Sequence, residues 1–91
     1  MPNWNEITQL MDIRALRYFV ELVEQQSFTR ASERLFVTQP TISKMVRSLE
    51  EEIGEPLLQR QGHSFSLTAA GELLLGRARS ILTELGQLQA E

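Results

Sequence analysis

No cysteine occurs among the 91 residues, which excludes a disulfide framework and any thiolate metal site. That absence fits a reducing, cytoplasmic setting. Long apolar runs are also missing: none approaches the roughly 18 residues that a membrane span needs. The opening MPNWNEITQL has neither the basic nor the apolar region of a signal peptide, so no membrane partner is expected. His63 is the only histidine and has no plausible co-ligands, which argues against a metal site. There is no paired nucleophile and base and no glycine-rich phosphate loop, so neither catalysis nor a cofactor is expected. Positive charge is in deficit, with nine Lys and Arg against twelve Asp and Glu for a net charge of -3. This argues against a nonspecific polyanion binder, but says little about a chain that places a few cations locally. The 42% apolar content is ordinary for a globular chain, and the length suits one small domain with a modest core.

Residues 1–10 are polar and without lasting periodicity, and read as an N-terminal arm with Trp4 as a packing anchor. From Asp12, an N-cap residue, Ile13, Leu16, Phe19, Val20 and Val23 recur at helical spacing, and the helix should end near Gln26. Ser27 caps a second, two-turn helix carrying Phe28, Ala31 and Leu35. Thr38 caps a third, with Pro40 in the first turn, where a missing N–H costs nothing. Ile42, Met45, Val46, Leu49 and Ile53 follow at spacings of 3, 1, 3 and 4, forming one apolar stripe. Gly54 and Pro56 end this helix, which spans Gln39 to Ile53, roughly 22 Å long. The period then changes. Residues 57–60 and 64–67 read as two short strands flanking Gln61, Gly62 and His63, a hairpin with its glycine at the tip. Thr68 caps a last helix running to the end, where Leu74, Ala78, Ile81, Leu85 and Leu88, with Leu82 beside them, form a seam of about two heptads. Gly71, Gly76 and Gly86 each cost this helix about 1 kcal/mol against alanine, so it should gain stability by packing against a partner copy.

The predicted fold is mainly α: a helix-turn-helix, a small β-hairpin wing, and a long C-terminal linker helix for dimerisation. Residues 11–67 make the winged unit and residues 68–91 the linker. In projection at about 100° per residue, Pro40, Ser43, Lys44 and Arg47 lie opposite the apolar stripe of the third helix. Donors, acceptors and cations of this kind read base edges and phosphates in a major groove. Glu50, Glu51 and Glu52 are confined to the last turns, away from the end that such helices insert. A polar face opposite an apolar stripe is equally what any surface helix shows. Arg60 and His63 fit a solvated hairpin tip, with Arg60 pairing with Glu55, as well as a DNA-facing one. The rival function is a protein-interaction module that dimerises without binding DNA.

The chain from about Met11 to Glu91 closely resembles the N-terminal DNA-binding region of LysR-type transcriptional regulators. The segments SFTRAS, TQPTIS, LEEEIG, PLLQR and LTAAG stand in family order at family spacing. The resemblance implies that Thr38, Gln39, Pro40, Thr41, Ser43 and Lys44 open the recognition helix, with Gln39 as the main base reader. Thr38, Thr41 and Ser43 would contact phosphates or bases, and Lys44 and Arg47 phosphates or guanine. Thr29 and Arg30 match positions that hold the DNA backbone. Arg60 matches a wing arginine that reaches a neighbouring minor groove, with His63 beside it at the tip, and Thr68 would lie near phosphate. The implied target is promoter DNA carrying an interrupted inverted repeat with A·T-rich flanks. A homodimer through the linker helix is implied, and a tetramer in the full-length protein, whose separate C-terminal domain would take a small-molecule effector. Three departures stand out. Ser32 replaces a usual alanine, which is tolerable if its hydroxyl bonds back to the helix. Leu58 replaces a common phenylalanine, and the arm before Met11 has no counterpart.

Overall fold

The computed structural model describes residues 12–90, so the N-terminal arm and Trp4 lie outside the described residues. Six elements follow in order: α1 (Ile13–Gln25), α2 (Phe28–Leu35), α3 (Gln39–Ile53), β1 (Leu58–Gln61), β2 (Ser64–Leu67) and α4 (Ala69–Ala90). Each helix starts on the capping residue that its sequence announces. Asp12 Oδ1 accepts the Ala15 N–H at 3.0 Å, Ser27 Oγ that of Arg30 at 3.1 Å, and Thr38 Oγ1 that of Thr41 at 3.3 Å. Such caps stabilise a helix by about 1 kcal/mol each. α1 and α2 end on non-glycine residues in the left-handed region, Gln26 (φ 52°) and Phe36 (φ 57°), while α3 ends on Gly54 (φ 85°). Phe36, at the turn between α2 and α3, is 94% exposed.

The apolar stripe of α3 is buried as its spacing predicts. Ile42, Val46 and Leu49 are closed to solvent, and Met45 and Ile53 pack at the edge. They meet Phe19 and Leu22 of α1, Ala31 of α2, Leu57, and Phe65 of the hairpin. Full burial of one Leu, Ile or Phe side chain stabilises by about 1.5–3 kcal/mol, and five such side chains (Phe19, Leu22, Ile42, Leu49 and Leu57) sit at this centre. Ser32 is buried beside them, and its hydroxyl donates to the Thr29 carbonyl at 2.7 Å, so the departure from alanine leaves no polar group unpaired.

The hairpin is antiparallel, pairing Leu58 with Leu67, Arg60 with Phe65 and Gln61 with Ser64. Gln61 is therefore in the strand, and the turn is the two residues Gly62-His63 rather than three. Gly62 is at φ 63° while His63 is not at positive φ, the pattern of a type II′ turn with glycine first. Leu57, expected to open the strand, lies just before it in the core. Glu50 anchors this start: its Oε2 accepts the N–H of Leu57 at 2.8 Å and of Leu58 at 3.4 Å. One of the three acids at the end of α3 thus ties the wing to the helix.

α4 docks on α1. Ala78 is fully buried against Leu16 and Val20, with Leu74, Leu75 and Leu82 packed around them, and Arg79 approaches Glu24 at 3.8 Å. Part of the seam expected for a partner copy is thus covered within the chain: Ala78 is closed to solvent, and Leu74 and Leu82 are half-buried. A two-heptad apolar row does not say which surface covers it, and α1 covers the first half. What stays open is Leu73 (64% exposed), Ile81 (44%) and Leu88 (67%), while Leu85 is half-buried above a groove lined by Ile13, Tyr18 and Leu35.

Candidate nucleic-acid interface

The first turn of α3 is where the fold concentrates exposed polar groups. Gln39, Pro40 and Thr41 are exposed, Ser43 is half-buried, and Lys44 and Arg47 are exposed. The Thr38 and Thr41 hydroxyls lie 2.9 Å apart, so Thr38 caps the helix and braces the next threonine at once. Gln39 Nε2 donates to Thr29 Oγ1 at 3.1 Å, tying the start of α3 to the start of α2. One amide proton is spent there. The second N–H and the carbonyl oxygen remain, and those are the donor and acceptor that adenine N7 and N6–H require.

An open cleft runs from this turn to the wing, lined by Ser27, Phe28, Thr29, Gln39, Ser43, Arg60, Gly62 and His63. The N-termini of α2 and α3 both border it. Helix N-termini carry unsatisfied N–H groups and the positive end of the helix dipole, a combination suited to phosphate. Among the described residues the ion pairs use Arg14, Arg34 and Arg79. Arg30, Lys44, Arg47 and Arg60, like Arg17 and Arg77 elsewhere, have no carboxylate partner among the described residues. An acidic chain thus keeps free cations on α2, α3 and the wing. Arg60 does not pair with Glu55; its guanidinium lies over the Phe28 ring, 4.7 Å from the centroid.

Thr68 stands apart from the other candidates. Its hydroxyl donates to the Pro56 carbonyl at 2.6 Å and accepts the Gly71 N–H at 3.0 Å. It clasps the start of α4 to the loop before β1, and its only proton is taken, leaving none to donate to a phosphate. Sequence reasoning missed Phe28, Glu50 and Gly71 as residues that shape the site. Each acts through a contact between separate elements that no local spacing signals. No helix among the described residues is long and apolar enough to cross a membrane.

A helix-turn-helix with a two-stranded wing, its polar helix face turned to an open cleft, defines a winged helix-turn-helix of the DNA-binding type. The model of the bacterial regulatory helix-turn-helix proteins of the lysR family matches residues 13–72. The chain belongs to this LysR family, and its fold is the family's winged DNA-binding domain. It is 42% identical over 80 residues to the probable cat1 operon transcriptional activator of Acinetobacter lwoffii, covering 88% of this chain and 26% of that protein. The chain thus spans about a quarter of the length of such relatives. Among solved structures it is similar to the DNA-binding domain of BenM in complex with catB site 1 DNA, with a TM-score of 0.82 and 39% identity over 88% of this chain and 86% of that one. The DNA-binding domain of CbnR in complex with DNA gives the same TM-score at 38% identity, over 88% of this chain and 92% of that one.

Proposed function

We propose that the chain binds double-stranded DNA sequence-specifically as the reading head of a LysR-type transcriptional regulator. α3 enters the major groove by its first two turns, and the wing lies along the neighbouring minor groove. The observation that carries this reading is that Gln39, Ser43 and Arg60 line one cleft, with Lys44 and Arg47 exposed further along the same helix and none of the three cations in an ion pair among the described residues. The likeness to two domains solved on DNA supports it over a dimerisation module. Gln39 and Ser43 read bases. Lys44, Arg47, Thr29 and Arg30 hold phosphates, and Arg60, with His63 at the tip, works at the minor groove, where A·T pairs narrow it and deepen its negative potential. Two copies joined through α4 meet an interrupted inverted repeat. In the whole protein a C-terminal domain takes a small-molecule effector, the assembly is a tetramer, and the setting is the bacterial cytoplasm.

Gln39→Ala and Arg47→Ala separate the two kinds of contact. Losing a base contact costs about 1–3 kcal/mol and relaxes preference at one position, whereas losing a phosphate contact weakens all sites together and lowers the salt slope by about one. Titration of each variant against duplexes with single-base changes, at several salt concentrations, reads both effects. Equal loss on every duplex for Gln39→Ala would remove Gln39 from base reading.

A further inference from the structure

Arg60 occupies the core side of the wing. It lies two residues beyond buried Leu58, on the same face of β1, and stands opposite Phe65 in the hairpin register. Its guanidinium lies over the face of Phe28. Phe28 opens α2, directly after the Ser27 cap, and its ring meets Phe65 edge-on, with centroids 5.6 Å apart and planes at 72°. Phe65 is buried in the core. A continuous ledge therefore leads from the core through Phe65 and Phe28 to the cation.

The chemistry of that ledge differs from that of an ion pair. A ring face attracts a guanidinium through its quadrupole but accepts none of its in-plane N–H donors. A carboxylate would take two of those donors and cancel the charge. Stacking on Phe28 leaves both the charge and the donor edge available while restricting where they lie. An unrestricted arginine would lose its rotamer freedom on entering a groove.

We propose that Phe28 is a positioning residue for Arg60, fixing the guanidinium so that the wing discriminates A·T-narrowed grooves, without itself touching a base. The proposal rests on the DNA reading above. It is tested on two duplexes that share the site enriched from a random pool by the unmodified protein and differ only in flank composition. Phe28→Leu is expected to shrink the preference for A·T-rich flanks about two- to fivefold, with preference at the Gln39-dependent position unchanged. Phe28→Tyr keeps the ring face and should keep the flank preference. Phe28→Leu added to Arg60→Ala should remove nothing further. Pentafluorophenylalanine at position 28 keeps nearly the same packing but reverses the quadrupole, so it reports on the contact even if leucine loosens the fold; it should act as leucine does. The proposal is overturned if Arg60→Ala abolishes the flank preference while the leucine and fluorinated variants retain it. Equal weakening on both duplexes by both variants also overturns it. An unchanged flank preference in Arg60→Ala instead overturns the wing reading itself, and the proposal with it.

Discussion

Aspartate at both Ile81 and Leu85 is expected to yield a folded monomer and to weaken binding to an inverted-repeat duplex by about 100-fold or more. α4 is fixed to its own chain by Ala78, Leu74 and Leu82, which pack on Leu16 and Val20, and the two replacements leave those contacts intact. Beyond them, Ile81 and Leu88 are open to solvent, and Leu85 sits over the groove lined by Ile13, Tyr18 and Leu35. A second copy lying across this end of α4 would cover the open row. Charges placed there would have to be desolvated on association, at a cost that a small interface cannot recover. The DNA effect follows from linkage: two reading heads joined in one particle make the second contact intramolecular, and a monomer loses that gain. Sedimentation at tens of micromolar reads the first effect, and anisotropy on full-site and half-site duplexes reads the second. Half-site affinity should be nearly unchanged. If the unmodified chain sediments as a monomer at tens of micromolar, the open row is not a dimer surface.

Gly71→Ala should lower the melting temperature by about 10 °C, although alanine is the better helix former. A Cβ built at Gly71 would stand 2.2 Å from the Leu57 carbonyl oxygen. That carbonyl cannot swing away, because it accepts the Thr68 N–H at 3.0 Å and Leu57 itself is fully buried. Overpacking typically costs about 1–3 kcal/mol and sometimes more, and contact with fixed backbone belongs at the upper end. Helix propensity returns only about 1 kcal/mol, so the clash prevails. Gly76→Ala gives the internal control. Nothing lies within 4 Å of its added Cβ, so the propensity gain of about 1 kcal/mol should stand and raise the melting temperature by about 5 °C. Thermal melts of the two variants should therefore move in opposite directions. A shift of the same sign in both would mean that the approach of α4 to Leu57 is not a tight one.

The contrast between those two glycines shows where sequence reading stops. Both looked like the same local defect in a helix, and only the position of Leu57, fourteen residues earlier in the chain, distinguishes them. Caps were legible because Asp12, Ser27 and Thr38 bond to N–H groups three residues on, and the stripe of α3 was legible because burial follows the helical period. The hairpin was legible except for its register, since alternation in Ser64–Leu67 fixes one strand but not where Gln61 stops pairing. The seam of α4 was legible as an apolar row, but such a row specifies a neighbour without naming it, and α1 packs against its first half. Within the site, Pro40, Ser43, Lys44 and Arg47 could be placed on one face from spacing alone, whereas Gln39 was singled out only by the family resemblance. The bond from Gln39 to Thr29, the seat of Arg60 on Phe28 and the tether from Glu50 to Leu57 all join separate elements, which no single-element pattern encodes.

Selection from a pool of random duplexes, followed by titration of the enriched sequence at several salt concentrations, tests the central claim most directly: that the polar face of α3 and the wing read DNA as a two-fold pair. The predicted result is a dyad-symmetric sequence with an interrupted centre and A·T-rich flanks, bound with an affinity that falls steeply as salt rises. No enriched sequence, or binding indifferent to salt, would contradict it.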